Sequence, residues 1–125
     1  MVRLESLTLK RKLAMNRTVS LNRNQDFRRV YCKGKYASSP LLVTYILKNK
    51  CGFNRVGITT SKKIGNAVKR NRARRILRAS FSGLNENLAG NFDIVFVARK
   101  GTPLAKSYDA SKEMAHHLKK LGLIK

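Results

Sequence analysis

The sequence predicts an α+β fold, a two-layer α/β sandwich with helices packed on a small mixed sheet. Three observations predict it. The run Asp93–Arg99 (DIVFVAR) is almost continuously apolar, as in a central strand covered on both faces. The stretch Arg55–Ser61 alternates, with Val56 and Ile58 on one side and Gly57, Thr59 and Ser61 on the other. Segments with helical spacing flank both, so the order reads helix, strand, strand, helix, strand, helix. At 125 residues the chain suits one domain.

The elements follow in order. Residues 1–21 show weak periodicity and read as a basic, mostly extended arm, in which residues 1–14 form an extension if Met15 is an alternative start. Residues 22–125 form the single domain. Asn22 or Asn24 caps a first helix from about Gln25 to Lys33, with Asp26 in its first turn and Gly34 as its stop. Phe27 and Tyr31, four apart, share a face of it. Ser38-Ser39-Pro40 breaks the chain before an apolar strand, Leu41–Leu47. Asn49–Asn54 is a turn leading into Arg55–Ser61. A helix from Ala67 to Phe81 follows, capped by Asn66, and Ser82-Gly83-Leu84-Asn85 ends it. After the Asp93–Arg99 strand, Gly101-Thr102-Pro103 breaks again, and Ser107 or Asp109 caps a last helix that runs to Leu121.

Charge narrows the function. Lys and Arg number 28 against 6 Asp and Glu, a net charge of +22. Such a charge costs stability by self-repulsion and concentrates polyanions, so a phosphate backbone is the expected partner. No acid occurs between Asp26 and Glu86. No segment approaches the ~20 apolar residues of a membrane span, and the basic N-terminus lacks a signal-peptide core. A cytoplasmic protein with no membrane partner is expected. Cys32 and Cys51, without paired spacing, read as buried or half-buried free thiols.

The segment from Lys62 to Arg78 carries Lys62, Lys63, Lys69, Arg70, Arg72, Arg74, Arg75 and Arg78 and no acid. At ~100° per residue, Ala73, Ile76, Leu77, Ser80 and Phe81 share one side, and Arg70, Asn71, Arg74, Arg75 and Arg78 the other. Arg70, Arg74 and Arg78 are thus expected to be exposed. A merely solvated face would carry acids to relieve repulsion at four-residue spacing. Guanidinium forks grip phosphate at two points, and Gly65-Asn66 add backbone N–H groups at the helix start.

The run SKKIGNAVKRNRARRILR, Ser61 to Arg78, centred on Arg70-Asn71-Arg72, resembles the signature of the bacterial ribonuclease P protein family. The similarity extends upstream through Asp26–Tyr31, Gly34 and Tyr45-Ile46, and downstream to the Asp93–Lys100 strand, covering roughly residues 15–121. The resemblance implies a left-handed βαβ crossover, against the general rule. It also implies a role as protein subunit of ribonuclease P, which binds a catalytic RNA and helps remove the 5′ leader from precursor tRNA. The RNA subunit would be met by Lys62, Lys63, Asn66, Arg70, Asn71, Arg72, Arg74, Arg75 and Arg78. A separate cleft of Phe27, Tyr31, Tyr45, Thr59, Ser61 and Lys63 would hold the leader. From helical spacing alone, Phe27 and Tyr31 read as ordinary core residues; the resemblance is what turns them toward RNA.

An active site of the chain's own is not expected. Its six acids are scattered, and no nucleophile motif or phosphate loop is present. His116 and His117 point ~100° apart on a helix and read as surface or packing residues, with Glu113 the one nearby acid. No cofactor, metal or small-molecule substrate of the protein alone is expected; the resemblance places Mg²⁺ in the RNA subunit. Three other classes share features. A structural RNA-binding protein shares the charge but gives no reason for the Lys63–Arg78 pattern beside aromatic residues. An autonomous nuclease lacks the acids. A helix-turn-helix DNA binder does not fit a strand and Gly-Asn leading straight into the basic helix.

Overall fold

The structure is a computed structural model that describes residues 19–21, 23–84 and 90–124. The readings made for residues 1–18, for Asn22 as a cap and for Asn85 lie outside the described residues. Among the described residues, five strands form one mixed sheet: β1 (Val19–Ser20), β2 (Lys35–Ser38), β3 (Leu42–Lys48), β4 (Arg55–Thr59) and β5 (Phe92–Ala98), in the order β1-β4-β5-β3-β2. Three helices among the described residues cover it, α1 (Asn24–Lys33), α2 (Ala67–Leu84) and α3 (Ser107–Lys120).

β5 lies at the centre, parallel to β4 and antiparallel to β3. Both of its faces are covered, which is why its sequence is continuously apolar rather than alternating; Ile94, Val95 and Phe96 are fully buried. Parallel β4 and β5 are joined through α2 as a βαβ unit. On one face, α2 and α3 pack Ala73, Leu77, Phe81, Ala110, Met114 and Leu118 against Leu42, Ile46, Ile94 and Phe96. On the other, α1 sets Val30 against Val95 and Leu21, with Phe27 and Tyr45 at the margin.

Several elements differ from the sequence expectation. The Ser38-Ser39-Pro40 break is the turn of a hairpin, since Lys35–Ser38 is itself a strand antiparallel to β3. Its four residues are too few to announce a strand by alternation. Val19–Ser20, inside the expected arm, pairs with β4. β4 stops at Thr59, so Ser61 lies past its end, at the start of a 3₁₀ turn over Lys62–Ile64. α2 runs on to Leu84. Neither Asn24 nor Ser107 nor Asp109 caps its helix: Arg23 and Lys106 hold the cap positions without side-chain bonds. Asn66 does cap α2, its Oδ1 accepting the Lys69 N–H at 3.0 Å. Gly34 ends α1 with extended backbone, φ −81° and ψ 165°, and a side chain there would strike the Ile46 and Val30 carbonyl oxygens. Cys32 and Cys51, expected to be at least half-buried, are exposed free thiols, set on the outer side of α1 and in the turn before β4.

His117 packs as a core residue. It is buried on α3, with Nδ1 2.8 Å from Thr44 Oγ1 of β3. Burial pushes its imidazole below the ordinary value; the Glu113 charge opposes this, while His116 and Lys120 add to it. An unfolded histidine takes its proton near pH ~6.5, whereas folded His117 takes one only at lower pH. The unfolded state therefore binds more protons in that window, and stability should fall as pH drops below ~6.5. Melting curves between neutrality and pH ~5 should show the decline, and His117→Gln should flatten it; an equal slope in the variant would refute the assignment.

Candidate nucleic-acid interface

Two surfaces are built on opposite faces of the sheet. The first is α2. Ala73, Leu77, Ser80 and Phe81 are buried and Ile76 is half-buried, so the apolar side faces the sheet as the spacing predicts. Lys62, Lys63, Asn66, Asn71, Arg72, Arg74, Arg75 and Arg78 are all exposed. Arg70 departs from the expectation of full exposure: it is half-buried, and its Nε is enclosed without a partner among the described residues. Its place at the edge of the buried strip lays part of its stem along the protein. Gly65 enters the helix with φ 137°, a conformation suited to glycine, and its missing side chain leaves room for the Lys69 stem. The salt bridges among the described residues join only Arg29, Arg55, Asp26 and Asp93, so no acid there neutralises the α2 cations.

The second surface lies between α1 and the sheet. Gly57 of β4 has no side chain, and the Phe27 ring fills that space; a Cβ at Gly57 would come within 2.5 Å of it. Phe27 and Tyr31 sit 6.4 Å apart, ring centre to ring centre. Tyr31 meets Tyr45 edge-on at 4.9 Å, and its hydroxyl lies 3.0 Å from Thr59 Oγ1. The structure thus brings together Phe27, Tyr31, Tyr45 and Thr59. Ser61 and Lys63 are exposed beyond the end of β4, and no hydrogen bond ties them to that group among the described residues. Phe27 is half-buried and packs against the Leu21–Val30–Val95 core. Tyr36, which sequence reasoning passed over, joins the same row: its ring is 5.6 Å from that of Tyr45. Its signal was hidden because β2 was not recognised as a strand.

A buried ionic cluster, also missed, anchors this surface. Asp93 at the head of β5 is fully buried. Arg55 donates to both of its oxygens at 2.7 Å, Asn49 Nδ2 to Oδ1 at 2.8 Å, and Arg29 of α1 to Oδ2 at 3.1 Å. Asp26 stands by, 3.6 Å from Arg55 and 3.7 Å from Arg29. Burial alone would raise the Asp93 pKa, but the hydrogen bonds from Arg55, Asn49 and Arg29 and the Arg55 charge outweigh it and hold the carboxyl below its ordinary range. The Arg55 guanidinium is held correspondingly higher, chiefly by its hydrogen bond to Asp93. A lone acid opening an apolar strand was the available signal, since such a residue survives burial only when paired.

Glu113 accepts the Leu41 N–H at 3.1 Å. Among the described residues no three His, Cys, Asp or Glu gather as a metal site, and no helix is long and apolar enough to cross a membrane.

Known proteins resemble this chain in sequence and in fold. A family model described as Ribonuclease P matches residues 15–122. The ribonuclease P protein component of Alkaliphilus oremlandii is 44% identical over 111 residues, 89% of this chain and 95% of that one. That of Clostridioides difficile is 42% identical over 109 residues, 86% and 96% of the two chains. Among solved structures, the Staphylococcus aureus RNase P protein matches with a TM-score of 0.77 at 30% identity, covering 87% of this chain and 100% of that one. The Thermotoga maritima protein matches with a TM-score of 0.69 at 25% identity, covering 78% and 92%. With its RNA-binding charge and its mixed five-stranded sheet, the chain belongs to the ribonuclease P protein component family, whose members serve tRNA processing as the protein part of an endoribonuclease.

Proposed function

We propose that the chain binds the catalytic RNA subunit through the Lys62–Arg78 surface and holds the 5′ leader of precursor tRNA in the aromatic cleft. Through both contacts it promotes endonucleolytic removal of the leader. The observation that carries this reading is the separation of the surfaces: an unneutralised cationic helix lies on one face of the sheet and a partly open row of rings on the other. Guanidinium and ammonium groups of Lys62, Lys63, Arg70, Arg72, Arg74, Arg75 and Arg78, with Asn66 and Asn71, offer phosphate contacts that do not depend on sequence. Phe27, Tyr31 and Tyr45, with hydroxyls from Thr59 and Ser61 and the charge of Lys63, suit an unpaired strand stacked base on ring. Of the four described acids, Asp26 and Asp93 are engaged by arginines and Glu113 by backbone, while Asp109 stands in the first turn of α3. The phosphodiester chemistry and its Mg²⁺ are assigned to the RNA subunit, as the family resemblance implies, in the cytoplasm.

The test is cleavage of precursor tRNA by the chain alone, by the RNA subunit alone and by both together. The pair should be fastest and the chain alone inert; cleavage by the chain alone would overturn the reading. In the assembled enzyme, Phe27→Ala should weaken precursor binding about tenfold, since stacking is worth ~1–3 kcal/mol per base. Mature tRNA should bind as before. A loss shared equally by both tRNAs would make Phe27 a packing residue only.

A further inference from the structure

Tyr36 has no part in the roles given so far. It lies on β2, the edge strand, directly opposite Tyr45 in the register with β3, so both side chains leave the sheet on the α1 side. Its neighbour Ala37, paired with Thr44, turns the other way and is buried. Tyr36 is 64% exposed, and its ring is tilted 33° to that of Tyr45. α1 covers the middle of the sheet through Val30 and Val95, and the β2 edge lies outside that cover. Phe27, Tyr31, Tyr45 and Tyr36 therefore form one row, from above Gly57 on β4 to the outer edge of the sheet.

A cross-strand ring pair stabilises a hairpin whether or not RNA is present. That role uses the side of Tyr36 turned to Tyr45 and leaves the rest of the ring in water. We propose that Tyr36 is a further stacking position for the single-stranded leader, at the end of the cleft remote from the RNA subunit. The proposal depends on the leader reading above. β4 runs on into Lys62–Ile64 and α2, the surface assigned to the RNA subunit, so the β4 side of the row, where Phe27 and Tyr31 sit, lies beside that surface. β5 and β3 separate β4 from β2. A leader entering beside Tyr31 reaches Tyr36 only after passing Tyr45, so short leaders should not reach it. Every base has a π face, so this contact would reward leader length rather than leader sequence.

The experiment uses enzyme assembled from the full chain and the RNA subunit. Equilibrium binding is measured for mature tRNA and for precursors with a graded series of leader lengths, and melting curves establish that each variant is folded. Tyr36→Ala should match the parent on mature tRNA and on short leaders and bind long leaders about tenfold more weakly. Its loss should begin at a longer leader than the loss in Tyr31→Ala. Tyr36→Phe should behave as the parent. Tyr36→Leu, which keeps an apolar cross-strand neighbour but no ring, should behave as Tyr36→Ala. An equal loss on every substrate, or parental binding by Tyr36→Leu, would overturn the proposal in favour of packing. If Tyr36→Ala is silent at every length while Phe27→Ala keeps its leader-dependent loss, the proposal fails and the leader reading stands. If Phe27→Ala also loses its dependence on the leader, the leader reading fails with it.

Discussion

Replacing Arg74, Arg75 and Arg78 together with Ala should lower affinity for the RNA subunit by roughly two to three orders of magnitude at ~0.1 M salt, and leave the fold intact. Each neutralised phosphate contributes ~0.9 to the slope of log K against log salt, and so about one decade of affinity at that concentration. The salt slope should accordingly become shallower by about 3. All three side chains are exposed on α2, and no acid among the described residues pairs with them. Their removal relieves like-charge repulsion along the helix, so the melting temperature should hold or rise slightly. Arg70 is left out of the set because its half-buried stem would mix packing with binding. The packing control is Leu77→Ala, fully buried, expected to cost ~2–5 kcal/mol; Ile76, only half-buried, is a weaker control. Parental affinity and salt slope in the triple variant would show that the RNA subunit docks elsewhere.

The sequence carried this helix plainly because its signal is local. One period of 3.6 residues sorts Ala73, Leu77, Ser80 and Phe81 from Arg74, Arg75 and Arg78, and Asn66 marks its start. β5 was equally legible, since a strand covered on both faces has to be apolar along its length. What escaped depends on partners distant in sequence. β2 exists because β3 returns beside it, and four residues alone give no periodicity. The place of Phe27 between core and cleft depends on Gly57, thirty residues away, so helical spacing alone could not decide it. Arg70 is a different case: at ~100° per residue it falls ~20° from both Leu77 and Phe81, so its half-burial follows the helical period itself. The Asp93 cluster draws on α1, the turn before β4, β4 and β5 at once.

That cluster should prove the most sensitive single point of the fold. Asp93→Ala should destabilise the protein by ~3–5 kcal/mol, because it leaves the partners of a buried ion pair uncompensated. For a chain of this size the loss corresponds to a fall in melting temperature of about 10–20 °C. Arg55 would lose both of its short bonds to Asp93 and keep only Asp26 at 3.6 Å, and Asn49 would lose its carboxylate acceptor. Asp93→Asn, similar in shape, should recover part of the stability by accepting some of these bonds without their charge. The pH dependence separates this account from simple loss of packing. Asp93 is held below its ordinary range in the folded state, so the unfolded carboxylate takes up its proton first as pH falls. Its contribution is therefore present in full well above pH ~3.9 and is lost progressively as pH falls through the folded value. The gap in stability between the parent and Asp93→Ala should narrow across that acid range. Function should follow, because Arg29 ties α1 to the sheet through Asp93 and α1 carries Phe27 and Tyr31. Even below its melting temperature, Asp93→Ala should thus lose leader-dependent binding while keeping the contacts of α2 to the RNA subunit. A gap in stability that stays constant from neutral pH into the acid range would mean that the Asp93 charge contributes nothing and the side chain only fills space.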